Sequence, residues 1–304
     1  MSIEIHSEVA QALAHGRPVV ALESTLICHG LPRPRNLDLA RAVEAAVRAE
    51  GAVPATIAVA DGRIRVGLDD DDLVRLARAE GVVKCSPRDL AIVLARGALG
   101  ATTVAGTIRV AAAAGIRVMA TGGIGGVHRG GETSLDVSAD LHELARSGVA
   151  VVCSGAKIIL DLPRTLEVLE SLGVPVVAFG TGDFPAFYAR ESGLTVPRID
   201  DVAGLAALLR AQATLGWPSG MVIANPPPAD LALPAAELEG WIGAALAEAR
   251  TQGIAGRDET PWLLAELARR SAGRTVTLNE ALVLDNARLA ARLAAAWRLP
   301  DAGG

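Results

Sequence analysis

Short, largely apolar runs alternate along this chain with segments of helical period, and that alternation limits what it can fold into more than any other feature. Pro18–Glu23 (PVVALE), Ile116–Ala120 (IRVMA), Val149–Cys153 (VAVVC) and Pro175–Phe179 (PVVAF) each have the length of a strand. Strands apolar on both sides must be covered on both sides, which is the condition of a parallel sheet between helical layers. The first sixteen residues read as an amphipathic helix. Between the runs, Asn36–Glu50 places Leu37, Ala40, Val43 and Val47 on one helical face, with Asn36 as a candidate cap. Helices are expected over 71–79, 88–96, 107–114, 139–146 and 162–172, with Val82–Cys85 a strand. Ala55–Leu68 reads as a hairpin turning at Asp61-Gly62. Beyond about Asp200 helices dominate, over 203–214, 235–251, 261–270 and 279–295, broken by one strand, Met221–Asn225. The expectation is a single domain over residues 1–304. Its class is α/β, a three-layer α/β/α sandwich around a mostly parallel sheet, with a helical C-terminal third. A (β/α)₈ barrel is the competing arrangement.

A net charge of −5 without a basic block argues against a nucleic-acid polymer or a membrane surface as partner. No stretch reaches the roughly 18 apolar residues of a membrane span, and the N-terminus lacks the pattern of a signal peptide. Cys28, Cys85 and Cys153 form no CxxC pair and read as free thiols of a cytoplasmic protein, not as a zinc site. Small phosphorylated ligands remain open, since they need only a few local donors. Of the 29 basic residues only Lys84 and Lys157 are lysine. Where arginine serves for charge almost everywhere, a retained lysine is a candidate for what arginine cannot do, which is to lose a proton and attack carbon.

Polar and glycine residues gather where the expected strands end, the side on which open α/β sheets bind ligands. Glu23 closes the first run; poor hydration there suits a general acid, the alternative being an ion pair with Arg33 or Arg35. Lys84 ends another strand and can meet a phosphate or a substrate hydroxyl, or pair with Asp89. Thr121–Gly131 (TGGIGGVHRGG) holds six glycines beside His128 and Arg129, a loop whose backbone N–H groups can approach an anion. Asp136 and Asp140 flank Ser138 and suggest either a hard cation or a helix cap. Lys157 follows a buried strand among small residues. An apolar seat favours the neutral amine that Schiff-base chemistry needs, whereas a surface lysine at a helix start is the plain alternative.

Taken together, ALESTLICHG, GAVPATIAVADGRIRVGL, ATTVAGT, ATGGIGGVHRGGETSLDVSADL, CSGAKIILDLP, FPAFYARESG and ANP resemble, in order and spacing, the motifs of the pseudouridine-5′-phosphate glycosidase family, also called indigoidine synthase A-like. The resemblance runs from about Pro18 to the C-terminal helices. It implies reversible cleavage of the C–C glycosidic bond of pseudouridine 5′-phosphate to uracil and ribose 5-phosphate, with a divalent metal, usually Mn²⁺, in a homotrimer. It implies Glu23 as acid, Lys157 as amine nucleophile and Asp136 as metal holder. Lys84, the backbone near Val104, Thr121, His128, the Ser138-Ala139-Asp140 turn and Asn279 would hold substrate. Chemistry agrees: a carbon leaving group is far poorer than the protonated oxygen of ordinary glycosidases. An amine that attacks C1′ and opens the ribose toward an iminium supplies an electron sink beside the uracil. A Schiff-base aldolase acting on another sugar phosphate would use the same lysine but cleave within the sugar.

Overall fold

The computed structural model describes residues 3–254, 256 and 259–297. Its strands are β1 (Ile3–Ile5), β2 (Val19–Glu23), β3 (Val53–Ala60), β4 (Arg63–Val66), β5 (Val83–Cys85), β6 (Gly100–Thr102), β7 (Val118–Ala120), β8 (Val127–His128), β9 (Ala150–Cys153), β10 (Leu160–Asp161), β11 (Val176–Phe179), β12 (Arg198–Ile199) and β13 (Met221–Ala224). Eleven of them form one open sheet in the order β1-β4-β3-β2-β7-β9-β13-β11-β12, with β6 also on β3 and β5 on β6. All pairings in it are parallel except β3–β4 and β3–β6. The sheet runs between two edges instead of closing, so the fold is the sandwich and not the barrel. Helices cover both of its faces.

The central strands show why. Every residue of β9 (AVVC) and β13 (MVIA) is buried, as a strand with helices above and below requires. In β3 all eight residues are buried, Pro54 included. Pro54 is tolerated because β4 pairs with β3 only from Ile57 onward, leaving Pro54 a side on which no ladder needs its missing donor. The longest helix, Arg274–Ala296, packs on β2, β7 and β9 and against the helix Arg35–Ala49. The C-terminal third is helical as expected, but its strand β13 inserts between β9 and β11, so it completes the central sheet.

Some boundaries differ from the expectation, each for a local reason. The N-terminal segment opens with β1 and only then becomes helical at Ser7–Ala14, after His6 caps it by accepting from Glu8 N. Asn36 is not a cap: it is buried inside its helix and donates to Ile27 O at 2.9 Å and Ala77 O at 3.0 Å. β6 and β12, three and two residues long, carry too little pattern to be read. The helix expected from Thr107 starts at Val104, capped by Thr103, whose hydroxyl accepts from Gly106 N at 3.2 Å. Gly106 hid that start, and the fold needs it: a Cβ there would lie 2.5 Å from Cys85 O. The first turn of this helix thereby comes against the end of β5. The last helix begins at Arg274, so Asn279 lies on its second turn and does not open it. Among the described residues no helix is long and apolar enough to cross a membrane.

Candidate active site

The carboxyl ends of β2, β5, β7 and β9 open into a cleft of about 850 Å³. Glu23, Lys84, Val104, Thr121, His128, Asp136, Ser138, Ala139, Asp140, Lys157 and Asn279 all line it. Every site residue read from the sequence is therefore brought to one place, from segments up to 256 positions apart. Parallel strands explain this, since their carboxyl ends all emerge on one side and each passes directly into a loop.

Glu23 is the last residue of β2. Its carboxylate accepts a hydrogen bond from the Thr121 hydroxyl. Desolvation raises its pKa above the usual carboxyl range, against the lowering effect of Lys157, the Thr121 hydroxyl and Lys84. The alternative ion pairs are absent: Arg33 donates to Ala79 O, and Arg35 binds Glu280. Lys157 Nζ donates to Gly123 O at 2.7 Å. Its seat is more polar than the purely apolar pocket expected, because Gly123 O and the charge of Glu23 both act on it. It lies before β10, well short of the helix that starts at Leu162, so it is not a lysine at a helix start.

The glycine loop spends part of its backbone on its own shape. Ile124 N donates to Gly155 O, Gly125 N to Asp140 Oδ2, Val127 N to Thr165 Oγ1 and His128 N to Asp136 O. Those donors hold the loop's own shape and do not wait for an anion. A Cβ on Gly125 would lie 2.3 Å from Ser138 Oγ and 2.9 Å from Asp140 Oδ2. Glycine is present there to admit close packing. Arg129 turns away to bind Glu239 and Ile158 O, and it does not line the cleft.

Asp136 and Asp140 part company. Asp140 is buried and spends its oxygens on Ala105 N at 2.8 Å and Gly125 N at 2.7 Å, tying the glycine loop to the helix Val104–Ala113. Both of its carboxylate oxygens are thereby engaged by backbone N–H groups. Asp136 stands instead with His128 and with Glu259, which the sequence did not reveal. His128 Nδ1 is 3.9 Å from Asp136 Oδ2 and 3.4 Å from Glu259 Oε2. One ligand atom from each of the three lies within 4.8 Å of the others. Glu259 was missed because it begins a helix 123 positions after Asp136, in a segment without a motif.

Lys84 shares its side of the cleft with His29, Ser86, Arg88, Asp89 and the helix start at Val104. His29 titrates below the usual imidazole range, chiefly through partial desolvation and secondly because of the charge of Lys84. Asn279, beside Gly122, is buried and its Oδ1 has no hydrogen-bond partner among the described residues. Phe187 contributes an aromatic wall.

The open parallel sheet and a cleft holding an acid, a lysine amine and several donors define an α/β enzyme of the kind that acts on a small anionic substrate. The chain belongs to the indigoidine synthase A like protein family, whose model matches residues 8–296. It is 60% identical over 296 residues to a pseudouridine-5′-phosphate glycosidase of Rhodospirillum centenum, covering 97% of this chain and 92% of that one. It is 51% identical to a protein of the same name from Deinococcus radiodurans, covering 97% and 95%. Among solved structures it is similar to the prealnumycin C-glycosynthase AlnA in complex with ribulose 5-phosphate, with a TM-score of 0.90 at 43% identity over 97% of this chain and 96% of that one. An indigoidine synthase A-like protein from Thermotoga maritima gives a TM-score of 0.88 at 36% identity, over 96% and 95%.

Proposed function

We propose that this chain is a pseudouridine-5′-phosphate glycosidase, which reversibly converts pseudouridine 5′-phosphate and water to uracil and ribose 5-phosphate. The observation that carries the reading is the juxtaposition of Glu23 and Lys157 across Thr121–Gly123, in a cleft whose near relatives bear that name.

In this reading Lys157 Nζ bonds to C1′ as the C1′–O4′ bond breaks, and O4′ leaves with a proton. The nitrogen releases its own proton. As the uracil carbon is protonated, the nitrogen lone pair forms the C1′=N bond and the C1′–C5 bond breaks. Water then adds to the imine, releasing ribose 5-phosphate and the free amine. Glu23 supplies and recovers the protons, a role suited to a carboxyl whose pKa desolvation raises. Lys84 and the backbone at Val104 hold the phosphate end, and His128 and the Ser138-Ala139-Asp140 turn hold the ribose. Thr121 fixes Glu23. Asn279 meets the base, since its unpartnered buried Oδ1 suits a uracil N–H.

A divalent cation such as Mn²⁺ fits beside Asp136, because one imidazole and two carboxylates are a suitable donor set. Held there, it supplies positive charge at the cleft for an anionic substrate. A homotrimer and a cytoplasmic location belong to the same reading; the three free cysteines suit a reducing compartment. Incubation with pseudouridine 5′-phosphate and Mn²⁺ tests it: uracil and ribose 5-phosphate should appear in equal amounts. A short aldehyde released from a sugar phosphate, without uracil, would favour the aldolase.

A further inference from the structure

A buried amide lies behind the reacting pair. Asn286, on the helix Arg274–Ala296, is fully buried and does not itself line the cleft. Its Nδ2 donates to Thr121 O at 2.9 Å and to Gly122 O at 3.4 Å, and meets Ser154 Oγ at 3.1 Å. Its Oδ1 accepts from Asn225 Nδ2 at 3.0 Å, and that same nitrogen also reaches Asp285 Oδ2 at 2.8 Å. Thr121, Ser154 and Asn225 each directly follow a strand, β7, β9 and β13, which are neighbours in the sheet. One side chain therefore ties three strand ends to the longest helix.

The segment it holds is the bridge between acid and amine. Thr121 donates to Glu23, and Gly123 O receives Lys157 Nζ. Thr121 O and Gly122 O, the carbonyls that Asn286 grips, lie between those two attachments. Ser154 N donates to Gly122 O at 2.8 Å, so the strand leading to Lys157 is fastened to the same point. A buried network with its members paired is rigid, and losing one member frees the others.

We infer that Asn286 is a positioning residue for the reaction: by clamping the Thr121–Gly122 backbone at the strand ends, it sets Glu23 and Lys157 at their working separation. This rests on the reading of Glu23 and Lys157 as the reacting pair.

Asn286→Ala should keep the fold by circular dichroism and bind substrate with KM within about threefold of wild type. Its kcat should fall roughly tenfold to a hundredfold, because a misplaced pair loses rate and not affinity. The pH profile separates positioning from plain stability. Glu23 is faced by Lys157 from the loop after β9, Lys84 from β5 and Asp140 from the helix Ala139–Leu144, and these remain in the variant. Thr121 is the neighbour that Asn286 controls, and its hydrogen bond lowers the Glu23 pKa. Freed from the clamp, Thr121 no longer holds the carboxylate, and the limb of kcat set by Glu23 moves to higher pH. Thr121→Val should move the same limb the same way, and the double variant should move it no further than Thr121→Val alone.

Asn225→Ser keeps Asn286 but removes a donor to its amide oxygen, and should give a smaller shift in the same direction. It stands as the test if Asn286→Ala does not fold. A wild-type kcat and pH profile in whichever of the two variants folds, with only a lower Tm, would overturn the inference. So would additive shifts in the double variant. Absence of uracil release by the wild type would instead sink the function reading, so the two failures are distinct.

Discussion

Glu23 holds opposed influences. Desolvation raises its pKa, while the Thr121 hydroxyl and two lysines oppose that rise. Its folded pKa therefore lies above the ordinary value of 4.5. Between those two values the folded state binds more protons than the unfolded state, so stability falls as pH rises through the window. Above the window, ionised Glu23 is a standing cost to the fold. Glu23→Gln keeps an acceptor for Thr121 and removes the charge. It should match wild type in Tm below pH 4.5 and exceed it above the window, while losing uracil release. Thermal melts across pH decide this; equal melting at alkaline pH would mean that the carboxylate is well solvated. At this scale much was legible. Glu23 directly ends an apolar run, and two lysines in a chain of arginines marked Lys157 and Lys84 without any geometry. Glu259 and Asn286 were not legible, because each works through partners at least sixty positions away.

The elements that shape the site are held by close packing more than by propensity. At Gly125 a methyl group would meet Ser138 and Asp140. Gly125→Ala should destabilise the fold by about 1–3 kcal/mol, as overpacking does, and displace the Asp140 carboxylate from Ala105 N. Calorimetry checks the first effect, and a raised KM for pseudouridine 5′-phosphate checks the second; an unchanged Tm would mean that the loop is slack. The dense glycine of Thr121–Gly131 marked the site, and close packing is one physical reason for it. Composition suggests free N–H donors, whereas the fold occupies several of them with Gly155, Asp140, Thr165 and Asp136. Helix starts were read late at Val104 and Arg274 for a related cause. Gly106, within the first, and Gly273, ahead of the second, look like breaks, although the chain requires one for close approach to β5 and uses the other as a left-handed N-cap.

Across the whole molecule, distant segments meet because a parallel sheet brings every strand's carboxyl end to one side. Alternating apolar runs made that architecture legible, but not strand order, which depends on contacts no local pattern records. β13, from the helical third, lies between β9 and β11, and Asn279, from the last helix, faces the glycine loop. The last third of the chain thereby closes over a site built by what precedes it. Glu259 reaches His128 and Asp136 in the same way. Asp136→Asn should raise the Mn²⁺ concentration needed for half-maximal activity, since a neutral amide binds a hard cation more weakly. Unchanged Mn²⁺ dependence would leave Asp136 without that role.

The proposed reaction divides the labour between the two lysines, Lys157 bonding to carbon and Lys84 only holding charge. Borohydride added during turnover reduces an imine and leaves a ribose phosphate fixed to the lysine that formed it. Mass spectrometry should find that adduct on Lys157 in the wild type. Lys84→Ala should lose about 1.5–3 kcal/mol of a charged hydrogen bond, or roughly tenfold to a hundredfold in kcat/KM, yet still trap the adduct at high substrate. Lys157→Ala should trap none. An adduct that persists without Lys157 and vanishes without Lys84 would contradict the account.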